Sequence, residues 1–267
     1  MAADSSGRPP QTSAGGDTLN QLQAEWDELA DLDALWAILS YRRKKFSRWG
    51  HEEFFAEGER QVDRLLEPAR DLGLPEGRGA VLDFGCGVGR LAPPLSRDFD
   101  DYWGVDISQE MVARARRLQA SLRNCHFAVC ADASLDRFPD RSFDQIVSVC
   151  VLQHIPAQET ITSYLRSFCR LLRPGGLLVF QLPAHISAVE RFVHNARRGL
   201  YHRLGRLGVP DRLRFRRLGL FPMTMNGVSQ AEVERILRTS GAEVLDVRSK
   251  RGGLAISDRT YYATKVT

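Results

Sequence analysis

The chain has 267 residues, of which 43% are hydrophobic and 26% are charged, and its formal net charge is +4. This composition is typical of a soluble globular protein. No apolar run approaches the roughly 20 residues that a membrane-spanning helix needs, so we expect no transmembrane segment. The five cysteines form no C-x-x-C pair, so we expect reduced thiols in a cytoplasmic protein, and no metal site.

The amino-terminal part of the chain changes character after its first 16 residues. Residues 1–16 are small, polar and rich in Pro and Gly, and we expect a disordered tail. From Thr18 to Leu39, leucines and tryptophans recur every three or four positions, which predicts an amphipathic helix. Residues 17–40 also hold six acids and no lysine or arginine. This helix either docks on the core or covers a ligand pocket, and its pattern leaves both interpretations open.

A second helix is predicted between two short breaks. It follows the basic, aromatic-interleaved segment 41–50 and ends before Gly73 and Pro75, because Gly and Pro interrupt helices. Residues 17–75 are therefore predicted to form an N-terminal helical cap.

A strand followed by a glycine-rich turn comes next. Ala80, Val81 and Leu82 are followed by Asp83 and then by glycines at 85, 87 and 89. This order predicts a buried strand, a tight turn and the start of a helix. Glycine is required where a ligand approaches the backbone and a Cβ would collide with it. The next strand, 102–105, ends at Asp106, where a carboxylate can accept the hydroxyls of a ribose.

The strands and helices alternate beyond this point. Further strands are predicted at 126–129, 144–150 and 177–180, with helices between them. Ser229 and Glu232 form a capping box that opens a later helix, and two last strands are expected at 243–248 and 260–266. Residues 76–267 are therefore predicted as one α/β domain, with a substrate-side insertion at 183–228.

Five short motifs, in this order, resemble those of the class I S-adenosylmethionine-dependent methyltransferases. They are Asp83–Gly89, Gly104–Ser108, Ala131–Ala133, Phe143–Asp144 and Leu172–Gly176. The glycine spacing G-x-G-x-G differs from the G-x-G-x-x-G of dinucleotide-binding dehydrogenases. The resemblance is specific over residues 79–182. It implies a Rossmann-like, seven-stranded, mostly parallel sheet with helices on both faces and an antiparallel C-terminal hairpin.

The resemblance also implies S-adenosylmethionine as cofactor and assigns its contacts by position. Backbone around the glycine turn approaches the methionine part, Asp106 binds the ribose, and residues near 107, 111 and 132 meet the adenine. The implied cofactor-binding residues are Asp83, Phe84, Gly85, Cys86, Gly87, Asp106, Ile107, Met111, Asp132, Ala133 and Cys150. Asp83, Met111 and Asp132 also have structural interpretations as a helix-capping acid, a core residue and a turn former.

The acceptor side of the site is less defined by the sequence. His154, just beyond the fourth strand, is the candidate general base, with loop positioning as its alternative. Candidate cap or substrate-wall residues are Tyr41, Phe46, Trp49, Phe54, Gln153, Gln181 and His185. We expect a transferase that moves the methyl group to an O or N atom of a small, possibly acidic, metabolite by in-line displacement. The Asn/Asp-Pro-Pro-Tyr motif of many base- and amide-methylating relatives is not found after the fourth strand.

Residues 190–219 carry nine arginines against two acids, Glu190 and Asp211. Some of these arginines could bind a carboxylate or phosphate of the acceptor. The segment could instead dock on RNA or on an anionic membrane, or the chain could modify a macromolecule. In a third interpretation, its apolar stripe (Val189, Val193, Ala196, Leu200, Leu204 and Leu207) packs on the core and its charges pair with the acidic helix. We favour the third, because an apolar stripe must be buried somewhere.

Overall fold

The computed structural model describes residues 13–252 and 256–266. Its helices are α1 (Ser13–Ile38), α2 (His51–Asp71), α3 (Ala92–Asp98), α4 (Gln109–Leu118), α5 (Gln158–Leu171), α6 (Ala188–Arg206), α7 (Asp211–Arg216) and α8 (Gln230–Thr239). Its strands are β1 (Ala80–Phe84), β2 (Asp101–Asp106), β3 (Cys125–Val129), β4 (Phe143–Ser148), β5 (Leu172–Ile186), β6 (Ala242–Gly252) and β7 (Ile256–Lys265). Of the predicted tail, residues 1–12 lie outside the described residues, while Ser13–Gly16 already belong to α1.

The seven strands form one sheet in the order β3-β2-β1-β4-β5-β7-β6. The first five are parallel, and β7 runs antiparallel to both β5 and β6. The predicted mixed sheet with an antiparallel C-terminal hairpin is therefore confirmed. Its strand order reverses between β1 and β4, which is where an open parallel sheet leaves a crevice for a ligand.

β5 is much longer than the segment 177–180 predicted for it. It pairs with β7 from Leu177 opposite Thr264 to Ile186 opposite Ile256. The residues after Phe180 include Pro183 and His185 and have no apolar run of their own. Their strand conformation comes from the hydrogen bonds of β7, a partner about 80 residues away in the chain.

Helices cover both faces of the sheet, as predicted. One apolar cluster packs α5 and α8 on one face, with Ile146, Phe168 and Ile236 inside it. The other packs α2, α3 and α4 on the opposite face around Val81 and Val147. Alternate residues of β4 enter the two clusters, because successive side chains of a strand point to opposite faces.

A third apolar cluster joins the N-terminal cap to the domain. It brings together Leu29 and Trp36 of α1 with Phe54, Met111 and Phe215. Within the span of α1, the helix is interrupted at Asp33, where φ is −170° and ψ is 77°. The Asp33 carboxylate accepts hydrogen bonds from the backbone N–H groups of Trp36 (3.4 Å) and Ser47 (2.8 Å). This break bends the cap across the end of the sheet.

The favoured interpretation of the arginine-rich segment is half right. Its charges do pair with the acidic helix, since Arg198 binds Glu25 and Arg214 binds Glu28. The apolar stripe, however, does not pack on the core. Most of it is exposed, as Val189, Val193, Leu200 and Leu207 show, because the ion pairs turn the opposite side of α6 toward the protein.

Candidate functional site

A cavity lies at the carboxyl ends of β1, β2 and β4 and beneath α1. Its empty volume, including its open mouth, is about 730 Å³. The lining residues are Leu22, Trp26, Ala37, Ile38, Phe84, Gly85, Gly87, Asp106, Ile107, Met111, Cys130, Val149, Cys150, Val151, His154, Ile155 and Tyr164. The glycine turn, the acid that ends β2 and the loop after β4 therefore surround one space.

The glycine turn needs glycine at two positions for two separate reasons. Gly85 and Gly87 have φ values of +78° and +54°, in the left-handed region that side chains rarely tolerate. A Cβ on Gly87 would lie 2.5 Å from Cδ1 of Ile38, and one on Gly85 would collide with Val151. The turn can thus be approached closely from the cap and from the loop after β4.

Asp106 connects the turn to the start of α4. Its carboxylate accepts hydrogen bonds from the backbone N–H groups of Gly87 (2.8 Å) and Ser108 (2.9 Å). Burial raises the pKa of Asp106 to about 6, although these two bonds oppose that rise. At neutral pH the group is therefore mostly a carboxylate, with lone pairs left on both oxygens for further donors.

Asp83 lies beneath the turn and does not line the cavity. It is buried and accepts a hydrogen bond from the hydroxyl of Tyr102 at 2.7 Å. Burial also raises the pKa of Asp83 to about 6, while the Tyr102 bond and the charge of Arg90 lower it. The two acids of the site thus both carry a charge that their surroundings disfavour.

His154 forms part of the cavity wall in a short 3₁₀ helix, Leu152–His154. Its Nδ1 lies 2.8 Å from the backbone oxygen of Thr224, and since a carbonyl only accepts, Nδ1 is the protonated nitrogen. Burial lowers the pKa of His154 to about 4, so the ring is neutral at pH 7. Nε2 is consequently a hydrogen-bond acceptor. The edge of Trp26 contacts the ring, with centroids 5.5 Å apart.

The cap helix both docks on the domain and forms a wall of the cavity. Gln23 donates to the backbone oxygen of Ile107 at 2.9 Å. Asp27 Oδ1 accepts from Ser108 Oγ (2.6 Å) and from the backbone N–H of Glu110 (3.1 Å). Because Trp26 lies between these two docking residues in the chain and lines the cavity, the two interpretations left open by the sequence hold together.

The cavity contains most of the residues predicted to bind the cofactor, and it leaves four outside its lining. Seven line it, namely Phe84, Gly85, Gly87, Asp106, Ile107, Met111 and Cys150. Asp83, Cys86, Asp132 and Ala133 do not. Asp132 closes the turn after β3, accepting hydrogen bonds from the backbone N–H of Leu135 and from Ser134 Oγ, which matches its structural interpretation.

The residues predicted as a substrate wall also lie outside the lining. Trp49 and Phe54 are buried in the cluster that joins cap and domain, and Phe46 packs against Phe215. Tyr41 and His185 are exposed. These aromatic side chains serve packing, since the cap residues that line the cavity are Leu22 and Trp26 before the bend at Asp33 and Ala37 and Ile38 after it.

The two glutamines have structural partners near the site. Gln181 Nε2 donates to Thr260 Oγ1 at 3.4 Å, and its Oε1 accepts from Cys150 Sγ at 3.5 Å. Gln153 accepts a hydrogen bond from Asn226 through its backbone oxygen. Cys150 has a φ of +62°, a conformation that costs energy in a non-glycine residue and often occurs at functional sites.

Sequence reasoning missed the segment that supports His154. Thr224 Oγ1 donates to the backbone oxygen of His154 at 2.7 Å, and Asn226 Nδ2 donates to that of Ile155 at 2.8 Å. These residues are about 70 positions from the loop they hold, in a stretch without periodicity, so no local signal could have revealed them. Tyr164 of α5 also lines the cavity, a place that the apolar periodicity of its helix does not reveal.

The described residues contain no group of three or more His, Cys, Asp or Glu side chains that could hold a metal ion. In the part of the chain that the structure covers, none of the helices combines the length and the hydropathy that crossing a bilayer takes.

Comparison with protein families and curated sequences points to one class of enzyme. A family model described as a methyltransferase domain matches residues 82–180. The 2-methyl-6-phytyl-1,4-hydroquinone methyltransferase of Synechocystis is 37% identical over 107 residues, which are 40% of this chain and 32% of that protein. The ubiquinone biosynthesis O-methyltransferase of Xanthomonas oryzae is 29% identical over 140 residues, 50% of this chain and 57% of that protein. The chain thus matches less than two thirds of the length of these relatives.

Solved structures share the fold over most of the chain. The magnesium protoporphyrin IX methyltransferase of Synechocystis, solved with bound SAH, covers 92% of this chain and 99% of its own, with a TM-score of 0.59 and 20% identity. A SAM-dependent methyltransferase of Leishmania major covers 92% of this chain and 83% of its own, with a TM-score of 0.60 and 14% identity. At these identities the likeness shows the fold alone.

Proposed function

We propose that this chain, a class I S-adenosylmethionine-dependent methyltransferase through its domain at residues 82–180, methylates an O or N atom of a small, largely apolar acceptor. The observation that carries the proposal is the convergence of the glycine turn, Asp106 and His154 on one cavity beneath the cap. The residues that line this cavity also narrow the chemical class of the acceptor. Its described lining includes no lysine or arginine, which argues against an acidic acceptor.

The donor half of the cavity suits S-adenosylmethionine. Asp106 offers a carboxylate with free lone pairs to the ribose hydroxyls, and Ile107 and Met111 offer apolar contact to the adenine. Gly85 and Gly87 leave room for the methionine part to approach the backbone. Bound there, S-adenosylmethionine supplies a methyl group on a positively charged sulfur, which leaves as a neutral thioether.

The acceptor half is formed by the cap and by the loop after β4. Since no anion has to be stabilised on the leaving group, the main task of these residues is to hold the acceptor in line with the methyl group. His154 is a weak base, because a pKa of about 4 lies well below the operating range of an efficient general base. We therefore infer that its Nε2 accepts a hydrogen bond from the acceptor and orients it, with Trp26 as an apolar wall beside the ring.

The curated relatives suggest a chemical class for the acceptor. The names of two of them describe a phytyl-hydroquinone substrate and a step of ubiquinone biosynthesis. An aromatic hydroxyl compound with an apolar tail would suit a cavity whose wall is built from Leu22, Trp26, Ile38, Val149 and Ile155. The substrates named for these relatives and the apolar cavity wall both favour a hydroxylated aromatic ring over a sugar or an amino acid as the acceptor.

Donor binding is tested by calorimetry on the pure protein. We expect heat with S-adenosylmethionine and with its demethylated product. Asp106→Ala should weaken binding by about 10- to 150-fold, the equivalent of 1.5–3 kcal/mol for a lost charge-assisted acceptor. Asp101→Ala is the matched control, since Asp101 begins the same strand and is exposed. Binding of a nicotinamide dinucleotide in place of either ligand would overturn the proposal.

The acceptor class is tested by transfer of a labelled methyl group. The enzyme is incubated with labelled donor and with either the water-soluble or the organic-solvent fraction of a cell extract. We expect the label in the organic fraction, on compounds that carry an aromatic hydroxyl. Label confined to water-soluble acids would refute the apolar acceptor while leaving the donor assignment intact.

A further inference from the structure

Helix α6 presents its apolar side to solvent. Phe192 is 73% exposed and Leu207, which follows the helix, is 78% exposed. At 100° per residue, Val189, Phe192, Val193, Leu200 and Leu207 fall within an arc of roughly 100°, the width of the stripe that a globular helix normally buries. We call these five residues the α6 stripe. All five are exposed, so they form a patch of the kind that marks an interaction surface.

The orientation of α6 is set by polar contacts on its inner side. Arg198 Nη2 lies 2.5 Å from Glu25 Oε1, and His202 Nε2 lies 2.9 Å from the same oxygen. In α7, Arg214 binds Glu28 at 3.1 Å and the backbone oxygen of Tyr201 at 3.0 Å. Rotating α6 to bury its stripe would break the Arg198 pair and leave Glu25, which is buried, without its cation. The exposed stripe is therefore a stable feature of the fold.

The exposed charged side chains near the stripe are cationic. Arg191, Arg203 and Arg206 are exposed on α6, Arg212 and Arg216 on α7, and Arg217 directly after α7. The two acids of this segment, Glu190 and Asp211, are only partly exposed. An apolar stripe flanked by arginines is the pattern of a helix that lies in a membrane interface, with its apolar side among the acyl chains and its cations near lipid headgroups.

We propose that the outer faces of α6 and α7 dock this protein on an anionic lipid membrane. Charge complementarity selects this occupant over two others. A second copy of the chain meeting this face by two-fold symmetry would bring its arginines against the same arginines. RNA would match the charge, yet it offers no apolar phase to Val189, Leu200 and Leu207.

The docking surface is close to the cavity. The membrane-docking proposal does not rest on the proposed methyltransferase activity. Arg198, on the inner side of α6, pairs with Glu25 of α1, and the next residue of α1, Trp26, lines the cavity. Helix α6 therefore lies against the cap helix that forms one wall of the cavity. An enzyme seated in this way would reach an acceptor dissolved in the bilayer without first extracting it into water.

The test is co-sedimentation of the full chain with vesicles of phosphatidylcholine, with and without 30% phosphatidylglycerol, across a salt series. We expect binding to the anionic vesicles and at least tenfold weaker binding to the neutral ones. The double variant Phe192→Ser/Leu200→Ser should lose tenfold or more in affinity at every salt concentration. Arg203→Glu/Arg206→Glu should lose most of its binding at low salt, where charge contributes most.

Leu72→Ser/Leu118→Ser is the matched control, because Leu72, directly after α2, and Leu118, at the end of α4, are both exposed away from α6, and it should bind as the unchanged protein does. Circular dichroism verifies that each variant is folded. The proposal is overturned if anionic vesicles are not bound at low salt, or if the Leu72/Leu118 variant is affected equally. It is also overturned if Phe192→Ser/Leu200→Ser instead dissociates a dimer, or if RNA is bound and vesicles are not.

Discussion

Replacing Asp27 by alanine should release the cap from the domain. Asp27 is half-buried, and its Oδ1 holds both Ser108 Oγ and the Glu110 N–H at the start of α4. Removing a charged acceptor costs roughly 1.5–3 kcal/mol per hydrogen bond when buried, and partial exposure reduces this to about 2–3 kcal/mol for the pair. At 1.4 kcal/mol per tenfold, the fraction of molecules with α1 detached should rise by about 30- to 150-fold.

Hydrogen exchange of the α1 amides measures this fraction directly. We expect exchange of residues 19–32 to accelerate in Asp27→Ala, while β1 and β4 keep the protection of the unchanged protein. Asp31→Ala is the matched control, since Asp31 lies one turn later on the same helix and pairs with Arg114 of the same partner at 3.1 Å. That carboxylate is 64% exposed, so its loss should change exchange by less than about fivefold.

The difference in α1 exchange between Asp27→Ala and Asp31→Ala tests whether the buried contacts of Asp27 hold the cap. Both gain the same helix propensity from alanine, so a difference between them reports the lost contacts alone. Equal exchange in the two variants would refute the reasoning, because it would mean that the buried hydrogen bonds of Asp27 contribute no more than an exposed ion pair.

Three further predictions concern the cavity and its surroundings. Burial raises the pKa of Asp83 from 3.8 to about 6, so the folded state loses stability as the pH rises from about 4 through 6. The free energy of unfolding in urea should therefore be about 1–3 kcal/mol higher for Asp83→Asn than for the unchanged protein at pH 8, and equal near pH 4. His154→Ala should lower turnover by about tenfold or more, with unchanged donor affinity in calorimetry. Since His154 is not expected to titrate between pH 6 and 8, the pH–rate profiles of the unchanged enzyme and of this variant should have the same shape in that range. Gly87→Ala should abolish donor binding and lower the melting temperature, because its φ of +54° and the nearby Ile38 both oppose a Cβ; adding Ile38→Ala relieves only the collision, so full recovery in calorimetry would contradict the backbone part of the argument.

The sheet was predictable where its strands are buried on both faces. β1 and β4 are apolar runs that end at polar or glycine residues. Such runs can be recognised in the sequence without knowing which strands pair with them. The glycine turn and Asp106 belong to two successive motifs, and the structure brings them together through the hydrogen bond from the Gly87 N–H to the Asp106 carboxylate. The second half of β5 was not predictable, because its conformation depends on β7 and not on its own residues.

In the cap and the site, too, features set by local sequence were predictable and features set by distant contacts were not. Periodicity locates the apolar stripe of α6, but it cannot say which side of the helix faces the protein. That choice is made by Glu25 and Glu28, which lie 173 and 186 residues from Arg198 and Arg214. The support of His154 by Thr224 is also a contact between distant parts of the chain.

Those sequence separations also impose an order in time on a newly made chain. α1 is synthesised before the sheet, whereas the arginine that binds Glu28 is added 186 residues after that glutamate. At 5–20 residues per second, this interval is roughly 10–40 s. The strands and helices between α1 and α7 can pair before Arg214 is available to α1. Leu29 and Trp36 of α1 are buried in the folded protein, but the cluster that buries them is incomplete until Phe215 is made. Helix α1 can therefore complete its packing only after Arg214 and Phe215 have been added.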